Sequence, residues 1–437
     1  MTRNQLMLPG YEAQPGQSGV DHSRRKLAAA KENLEQVVLE ESSSSSSSST
    51  SSKVSIVSLP CIDEEDTWAY RCRCTFQIVI DGTLYYAMRH KQKPIRVDNS
   101  FPIATRRIQA AMKSLMEDVL NCNEENKRPP FEEFKRNLAS ITFSSAWRDE
   151  EDLSSDCIVT VNYDQPIDPV AWNESATIVC KQLKLRQLNG RSKKVLVSVK
   201  EDGCSSIRDT VWLRRNIESK DWSVSLTKIM KIGHSPESID TNNPVIPVHY
   251  NKPETAFYHP NSNAMCQALE WMLERLTMIT SGSAQPSSSR LLEMYCGCGA
   301  HTCALAKTGL LDHITAIEID QRLVDACQVN IKLNNLDDIV RVEQGDAGVW
   351  ATKMYKKQVD PYDILLVDPP RAGLDQTVCN MACEGSFQHF LYISCGHKAL
   401  LRDLERLSSA FKVVSIVQTD LFPRTDSIET LVHLQKK

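Results

Sequence analysis

The sequence predicts an α/β fold in two parts, a parallel doubly wound sheet in the carboxyl-terminal half and an α+β domain before it. Short apolar runs alternate with helical segments from residue 291 onward, which is typical of a parallel sheet. The earlier half contains a hairpin signal, Asp81-Gly82, between two apolar runs. The chain has 437 residues, which is enough for two or three domains.

The overall composition limits the classes of function. Lysine and arginine number 51 against 55 acidic residues, so a nucleic-acid partner would have to be bound by local basic patches. The chain shows no signal peptide and no long apolar span, so we expect a cytoplasmic protein, with an organelle as the alternative, and no membrane partner. The 15 cysteines lack the paired spacing of zinc sites, so we expect free thiols and no metal. We also expect a monomer.

Composition divides the chain into three segments. Residues 1–60 are expected to be a mostly disordered head, because Ser42 to Ser52 is almost entirely serine and cannot form a core. Within this head, the segment from Arg24 to Glu41 has helical spacing. Residues 61–250 are expected to form the α+β domain, and residues 251–437 the doubly wound domain.

The α+β segment carries basic clusters beside aromatic residues. A strand over residues 70–80 and its hairpin partner over residues 84–89 lead into basic residues up to Arg96. A helix is predicted from Ile103 to about Leu120, and a basic loop between Lys181 and Lys194. Basic loops beside aromatic rings suit an RNA backbone and unstacked bases. A solvated charged surface explains the same pattern, and the residues leave both interpretations open.

The first strand of the doubly wound segment ends in a glycine turn that suits a nucleotide-like ligand. Gly297 and Gly299 follow this strand, and Glu318 ends the next strand, where a carboxylate can accept hydrogen bonds from ribose hydroxyls. The turn lacks the third glycine of a dinucleotide site and the lysine of a P-loop. The absence of a pyrophosphate cradle favours S-adenosylmethionine over NAD or ATP.

Three chemically active side chains are predicted at the same edge of the sheet. Asp368 and Cys395 follow two strands, and Glu429 opens a final strand whose start reaches the same edge if that strand is antiparallel. A thiolate that adds to C6 of uracil turns C5 into a nucleophile, and a base must then remove the C5 proton. Cys395 and Glu429 suit these two roles. Alternatively, Cys395 is a small apolar residue of the core.

The chain resembles the tRNA (uracil-5-)-methyltransferase family of the TrmA type, and the resemblance covers nearly all of it apart from the serine tract. The matching stretches are Tyr11-Glu12-Ala13-Gln14, Tyr70-Arg71-Cys72-Arg73, Ile95-Arg96-Val97-Asp98, Phe257-Tyr258-His259-Pro260-Asn261, Leu292-Glu293-Met294-Tyr295-Cys296-Gly297, Asp368-Pro369-Pro370-Arg371, Tyr392-Ile393-Ser394-Cys395, and Phe422-Pro423 before Glu429. In combination these motifs are highly specific.

This resemblance implies a class I S-adenosylmethionine-dependent methyltransferase domain, which is Rossmann-like, preceded by an α+β RNA-binding domain. It implies methylation of the T-loop uridine of tRNA at conventional position fifty-four, with the T-arm of tRNA as partner. By motif, Cys395 is the nucleophile and Glu429 the proton acceptor. The residues implied to bind the cofactor S-adenosyl-L-methionine are His259, Tyr295, Ala300, Glu318 and Asp368.

Three positions depart from the family pattern. His259 replaces a glutamine, Ala300 replaces a polar residue after the second glycine, and Gly396-His397 replaces Asn-Pro after the cysteine. His397 is a candidate for activating the thiol. Two alternatives therefore stay open beside the active enzyme. One is a tRNA-binding folding factor with reduced or lost methyl transfer, and the other is a uracil-C5 methyltransferase that acts on another RNA.

Overall fold

The structure is a computed structural model. It describes residues 11–43, 54–90, 93–97, 99–121, 131–147, 157–193, 195–200, 206–216, 218, 221–226, 245–254, 258–282, 289–356 and 362–437. The helices are α1 (Gly19–Ser43), α2 (Arg106–Ser114), α3 (Glu132–Lys135), α4 (Pro169–Gln182), α5 (Ser262–Gly282), α6 (Ala300–Lys307), α7 (Gln321–Leu333), α8 (Ala347–Lys356), α9 (Gln376–Glu384) and α10 (His397–Leu407). A π-helical turn, Leu115–Leu120, continues α2.

The strands form three sheets. They are β1 (Ile56–Leu59), β2 (Arg73–Asp81), β3 (Thr83–His90), β4 (Lys93–Arg96), β5 (Leu138–Ser145), β6 (Cys157–Tyr163), β7 (Gln187–Arg191), β8 (Leu196–Lys200), β9 (Ser206–Arg215), β10 (Trp222–Ser225), β11 (Val245–Pro253), β12 (Arg290–Met294), β13 (His313–Glu318), β14 (Val340–Gln344), β15 (Ile364–Val367), β16 (His389–Ser394), β17 (Phe411–Thr419) and β18 (Glu429–Lys436).

The carboxyl-terminal sheet has eight strands in the order β1-β17-β18-β16-β15-β12-β13-β14. Its strands are parallel except for β18, which runs antiparallel to both β16 and β17. Strand β15 is apolar along its whole length, and β16 is buried from Phe390 to Ser394, as a sheet covered by helices on both faces requires. The doubly wound fold is therefore confirmed, and the antiparallel direction of β18 meets the condition on which the placement of Glu429 depended.

The amino-terminal sheet has seven strands in the order β4-β3-β2-β5-β6-β7-β8. The predicted hairpin between β2 and β3 is confirmed, with Gly82 at a left-handed φ of 71° between the paired residues Asp81 and Thr83. The predicted basic loop over residues 181–194 is wrong in part, because residues 187–191 form β7, parallel to β6. Gln187, Leu188 and Asn189 are buried there, so packing overrides the polar local sequence.

A third sheet, β10-β9-β11, joins the carboxyl-terminal half across the predicted boundary at residue 250. Strand β11 runs through that boundary to Pro253. Val248 and Tyr250 share a hydrophobic core with Leu269 of α5 and Leu291 of β12. This sheet therefore packs with the half that holds the glycine turn, although it precedes residue 251.

The expected disordered head differs from the structure over much of its length. Residues 19–43 form helix α1, and residues 56–59 form β1, which pairs in parallel with β17 at one edge of the large sheet. Leu34 of α1 and Ile56 of β1 are buried in the core beneath that sheet. Residues 44–53, which include most of the serine tract, lie outside the described residues.

Candidate active site

The functional residues predicted from the sequence meet at one edge of the large sheet. Tyr295 and Glu318 lie at the carboxyl ends of β12 and β13, and Asp368 and Cys395 directly follow β15 and β16. Glu429 begins β18, which runs the other way, so it reaches the same edge. We call these five residues the rim. Ligands bind at this edge in open α/β sheets.

The register of β16 and β18 brings the cysteine beside the carboxylate. Ser394 pairs with Thr430, so the next residue outward on each strand is Cys395 on β16 and Glu429 on β18. Cys395 is half-buried, whereas Glu429 is 4% exposed. Burial raises the pKa of the Cys395 thiol, and the charges of Glu429 and Asp368 raise it further. The thiol is therefore mostly protonated at neutral pH in the free protein.

The segment Asp368-Pro369-Pro370-Arg371 lies against the turn that follows Cys395. A Cβ added at Gly396 would collide with the carbonyl oxygen of Arg371, so the close approach of these two backbones requires glycine. The positive charge of Arg371 lowers the pKa of Cys395 and partly offsets the carboxylates. The replacement of the family's asparagine by Gly396 therefore has a steric reason in this chain.

The environment of Asp368 at the rim favours its protonated form. Burial raises the pKa of Asp368 well above its usual range, and the neighbouring Glu429 raises it further. Two nearby carboxylates in a low-dielectric site cannot both ionise readily. In its protonated form, which these two effects favour, Asp368 can donate a hydrogen bond.

His259 faces Glu429. Its carbonyl oxygen accepts hydrogen bonds from Trp147 Nε1 at 2.9 Å and from Cys72 Sγ at 3.6 Å. Its ring Nδ1 accepts the backbone N–H of Asn261 at 3.2 Å, so in the neutral ring the proton is on Nε2. That Nε2 lies 3.5 Å from Glu429 Oε2. The two side chains are neighbours but form no hydrogen bond here, since Glu429 Oε2 has no hydrogen-bond partner among the described residues.

A buried ion pair supports the backbone around His259. Lys252 of β11 is fully buried and pairs with Asp209 of β9. The Lys252 ammonium lies 4.1 Å from the ring centroid of Trp147 and 4.5 Å from that of Tyr258. Sequence reasoning missed this group, because an isolated lysine in an alternating strand gives no sign that it is buried.

The glycine turn after β12 adopts the backbone conformation of a ligand loop. Tyr295, Gly297 and Gly299 all have left-handed φ values, of 65°, 57° and 79°. A Cβ at Gly299 would collide with Cys327 Sγ, whereas one at Gly297 would meet no atom within 4 Å. There is therefore open space beside Gly297, which suits the close approach of a ligand.

Glu318 and Ala300 flank that turn. The Glu318 carboxylate accepts the N–H of Gly297 at 3.0 Å and that of Asp320 at 2.9 Å. Ala300 begins α6, and its carbonyl oxygen accepts the Tyr250 hydroxyl at 2.6 Å. A fixed carboxylate beside open space suits ribose hydroxyls, so the residues present fit S-adenosylmethionine.

His397 has no contact that would activate the cysteine. It is the first residue of α10, and neither of its ring nitrogens has a hydrogen-bond partner among the described residues. Burial lowers its pKa, which disfavours the cationic form that would stabilise a thiolate. Arg371 is a cation that lowers the pKa of the Cys395 thiol, a role that no sequence pattern indicated.

Two other kinds of feature are absent from the described residues. Within those ranges, no group of three or more histidine, cysteine, aspartate or glutamate side chains could hold a metal ion. Within the same ranges, no helix is both long enough and apolar enough to span a bilayer.

The fold and rim define a class of protein, the Rossmann-like methyltransferases that use S-adenosylmethionine. A family model described as tRNA (Uracil-5-)-methyltransferase matches residues 57–216 and 227–437, which is most of the chain. The chain belongs to the tRNA (uracil-5-)-methyltransferase family, and it is an enzyme of that family.

Similar proteins support this membership. A tRNA/tmRNA (uracil-C(5))-methyltransferase from Shewanella sp. (strain MR-4) is 28% identical over 384 residues, covering 84% of this chain and 88% of the relative. A relative of the same description from Marinomonas sp. (strain MWYL1) is also 28% identical, with the same coverage. The Pyrococcus abyssi tRNA (uracil-54, C5)-methyltransferase in complex with S-adenosyl-L-homocysteine has a similar fold. It superposes with a TM-score of 0.57 at 17% identity, covering 95% of this chain and 84% of that one.

Proposed function

We propose that this protein methylates C5 of the T-loop uridine of tRNA, at conventional position fifty-four, through a covalent bond between Cys395 and C6 of the base. The observation that carries this proposal is the register of β16 and β18, which sets Cys395 beside Glu429. The Shewanella and Marinomonas relatives are named for tRNA and tmRNA, and the Pyrococcus abyssi protein for uracil-54.

In this proposal Cys395 starts the reaction and Glu429 completes it. The Cys395 thiolate adds to C6, and the resulting enolate makes C5 nucleophilic. When bound, S-adenosylmethionine supplies the methyl group that C5 receives. Glu429 then accepts the C5 proton, and the electron pair of the C5–H bond restores the C5–C6 double bond. The C6–S bond breaks, and its electrons return to the Cys395 sulfur.

Five residues are proposed to hold the cofactor. Glu318 accepts hydrogen bonds from the ribose hydroxyls, since its carboxylate is already fixed beside the glycine turn. Tyr295 and Ala300 line that turn, and the protonated Asp368 donates a hydrogen bond. His259 stands at the position where the family has glutamine, and it also lies against Glu429.

The α+β half is proposed to open the T-arm of tRNA. A buried T-loop base must leave its stack to reach Cys395, which costs a few kcal/mol. The edge of the seven-stranded sheet offers a basic and aromatic surface, where the guanidinium of Arg96 lies 4.9 Å from the ring centroid of Tyr85. Such pairs suit RNA backbone and unstacked bases.

A transcript of the tRNA that contains 5-fluorouridine tests the mechanism. Fluorine at C5 cannot be removed as a proton, so methyl transfer should leave a stable covalent complex on denaturing gels. Cys395→Ala should abolish this complex. Cys383→Ala is the matched control, because Cys383 is equally a partly buried thiol but lies on α9, away from the rim.

The raised pKa of Cys395 favours, as second candidate, a tRNA-binding folding factor with reduced or lost methyl transfer. A wild-type protein that binds tRNA but gives neither the covalent complex nor radiolabelled methyl incorporation would support it and overturn the enzyme mechanism. A transcript with an altered T-loop uridine tests whether another RNA is the substrate.

A further inference from the structure

The loop that leads into Glu429 is held by the amino-terminal segment of the chain. This loop, residues 420–428, connects β17 to β18 and ends at the carboxylate that faces Cys395. Asn261 Nδ2 donates to its Leu421 carbonyl at 2.8 Å, and the Tyr70 hydroxyl donates to its Pro423 carbonyl at 3.0 Å. Most of its remaining polar contacts come from residues 11–26 and Glu64.

Lys26 of α1 makes the largest set of these contacts. Its Nζ lies within hydrogen-bonding distance of four acceptors in the loop, and its side chain is 6% exposed. The acceptors are Asp420 Oδ1 at 2.6 Å, the Phe422 carbonyl at 3.1 Å, the Thr425 carbonyl at 2.6 Å and the Ser427 carbonyl at 2.9 Å. An ammonium has three protons, so Lys26 is fully used by this loop.

Arg424 belongs to the loop itself and contacts the amino-terminal segment. Its backbone φ is 68°, and its guanidinium is buried in the amino-terminal segment. It donates to the carbonyls of Ala13, Gln14 and Gln17, and it pairs with the Glu64 carboxylate.

Hydrophobic packing completes the contact between α1 and the loop. Ile428, which directly precedes Glu429, is buried against Leu27 and Ala30 of α1. Helix α1 therefore fixes the position of the backbone on the amino-terminal side of Glu429. A proton acceptor must be held within a few tenths of an ångström of its productive position, so this contact bears on the reaction.

We propose that Lys26 is a positioning residue of the methyl-transfer reaction, which holds loop 420–428 so that Glu429 can reach the C5 proton. The proposal rests on the role of Glu429 as proton acceptor given under the proposed function. Without the ammonium, the carbonyls of Thr425 and Ser427 and the carboxylate of Asp420 lose their partner and the loop must rearrange toward water. Cys395 directly follows β16, away from this loop in the chain, and keeps its position.

Because Lys26 holds the loop of Glu429 and not Cys395, its loss should slow one step of the reaction and spare another. Formation of the C6–S bond depends on Cys395 and should persist. Removal of the C5 proton, which restores the double bond and lets the C6–S bond break, depends on Glu429 and should slow. The methylated RNA should therefore remain attached to the protein. A loss of general stability would instead lower the amount of folded enzyme and leave the attached fraction unchanged.

The experiment compares Lys26→Met with Arg24→Met in the full chain. Methionine keeps the unbranched stem of lysine. Arg24 lies on the same helix with an exposed side chain, and among the described residues it pairs only with Asp21, at 3.7 Å. Arg24→Met therefore removes one positive charge from the helix, as Lys26→Met does. With T-arm RNA containing ordinary uridine, Lys26→Met should raise the covalent fraction and lower kcat by about tenfold, with kcat/KM within about twofold, because the slowed step follows methyl transfer. Arg24→Met should change none of these.

A second variant and a reference variant keep the test decisive. Lys26→Gln keeps an amide donor for part of the loop and should give an intermediate covalent fraction, which also covers the case that Lys26→Met does not fold. Glu429→Gln should accumulate the adduct by itself. If it does and neither Lys26 variant exceeds Arg24→Met, the positioning role is overturned and the proposed function stands. If Glu429→Gln accumulates none, the proton-acceptor role fails and the positioning role fails with it.

Discussion

At the scale of single residues, the surroundings of Cys395, the proposed nucleophile, disfavour its thiolate form. Burial and the charges of Glu429 and Asp368 raise the pKa of Cys395, and Arg371 offsets only part of this effect. The carboxylate that is proposed to finish the reaction therefore disfavours the thiolate that is proposed to start it. The effect of Glu429 on the thiol can be measured apart from its proposed role as proton acceptor. Reaction of Cys395 with a small reagent requires the thiolate but no proton acceptor.

We predict that Glu429→Gln makes Cys395 more reactive. Removing the negative charge lowers the pKa of the thiol, so alkylation by iodoacetamide at pH 7.5 should be roughly three- to tenfold faster. The rate is followed for the Cys395 peptide alone by mass spectrometry, across a pH series.

The control for this experiment is Glu405→Gln, which removes the same charge from an exposed position on α10. In the wild-type protein the alkylation rate should keep rising into the alkaline range, because the thiolate forms only as pH approaches the raised pKa. An unchanged rate in Glu429→Gln would show that the carboxylate does not act on the thiol.

Gly396 gives a second prediction at this scale. A side chain there collides with the Arg371 carbonyl, so Gly396→Ala should lower the free energy of unfolding by about 1–3 kcal/mol, measured by urea denaturation. Gly396→Asn, which restores the residue expected from the family, should do the same or worse.

Gly345→Ala is the matched control for Gly396. A Cβ at Gly345 meets its nearest neighbours at the ordinary distances of 3.6 Å and 3.7 Å. The prediction is contradicted if both alanine variants unfold at the same urea concentration. The departure from Asn-Pro was readable in the sequence, but its cause was not, because it depends on a backbone twenty-five residues away.

At the scale of elements, the sequence determined the rim through strand order. The apolar runs of β12, β13, β15 and β16 were predictable. With the antiparallel direction of β18, which the sequence left open, they bring Cys395 beside Glu429. Strand β7 was not predictable, since Gln187, Asn189 and Arg191 read as loop residues and pair only because β6 lies beside them. The same limit applies to β1, four residues whose partner, β17, follows far along the chain.

The buried pair of Lys252 and Asp209 gives the prediction for the three-stranded sheet. Lys252→Met leaves an unpaired buried carboxylate and should cost about 3 kcal/mol of unfolding free energy in urea denaturation. Adding Asp209→Asn should recover part of this loss, because asparagine carries no charge. Its side-chain oxygen can still accept the backbone N–H of Trp147, which lies 2.9 Å from Asp209 Oδ2 in the wild-type protein.

The control for the buried pair is Arg191→Met. Arg191 pairs with Glu254 at 2.7 Å, but its side chain is 40% exposed, so its loss should cost no more than about 1 kcal/mol. If Lys252→Met costs no more than Arg191→Met, burial does not strengthen the inner pair. Loss of activity in Lys252→Met that exceeds the loss of folded protein would link the pair to His259, through Trp147.

At the scale of the whole molecule, the linear division into head, RNA-binding half and catalytic half does not match the packing. Helix α1 and β1 from the head, and the sheet β10-β9-β11 from the middle, share cores with the large sheet. Serine composition predicted a mostly disordered head. The buried contacts of α1 form with residues about four hundred positions away, and no local pattern reports them.

We predict that α1 is required for stability. Leu34 is fully buried in the core that also contains Ile56 and Leu404, so Leu34→Ala should cost about 2–5 kcal/mol in urea denaturation. Glu32→Ala, at an exposed position of the same helix, should change the unfolding free energy by less than about 0.5 kcal/mol.

A chain that begins at Val54 extends this prediction to the whole segment. It lacks Lys26 and Leu34, and it leaves Asp420 and Arg424 buried without their partners from residues 11–43. A protein is usually stable by only about 5–15 kcal/mol, and these losses together approach that margin. The shortened chain should therefore be insoluble or lack a cooperative unfolding transition by circular dichroism. If instead it unfolds like the full chain and turns over at the same rate, α1 is dispensable, and Lys26 has no part in placing Glu429.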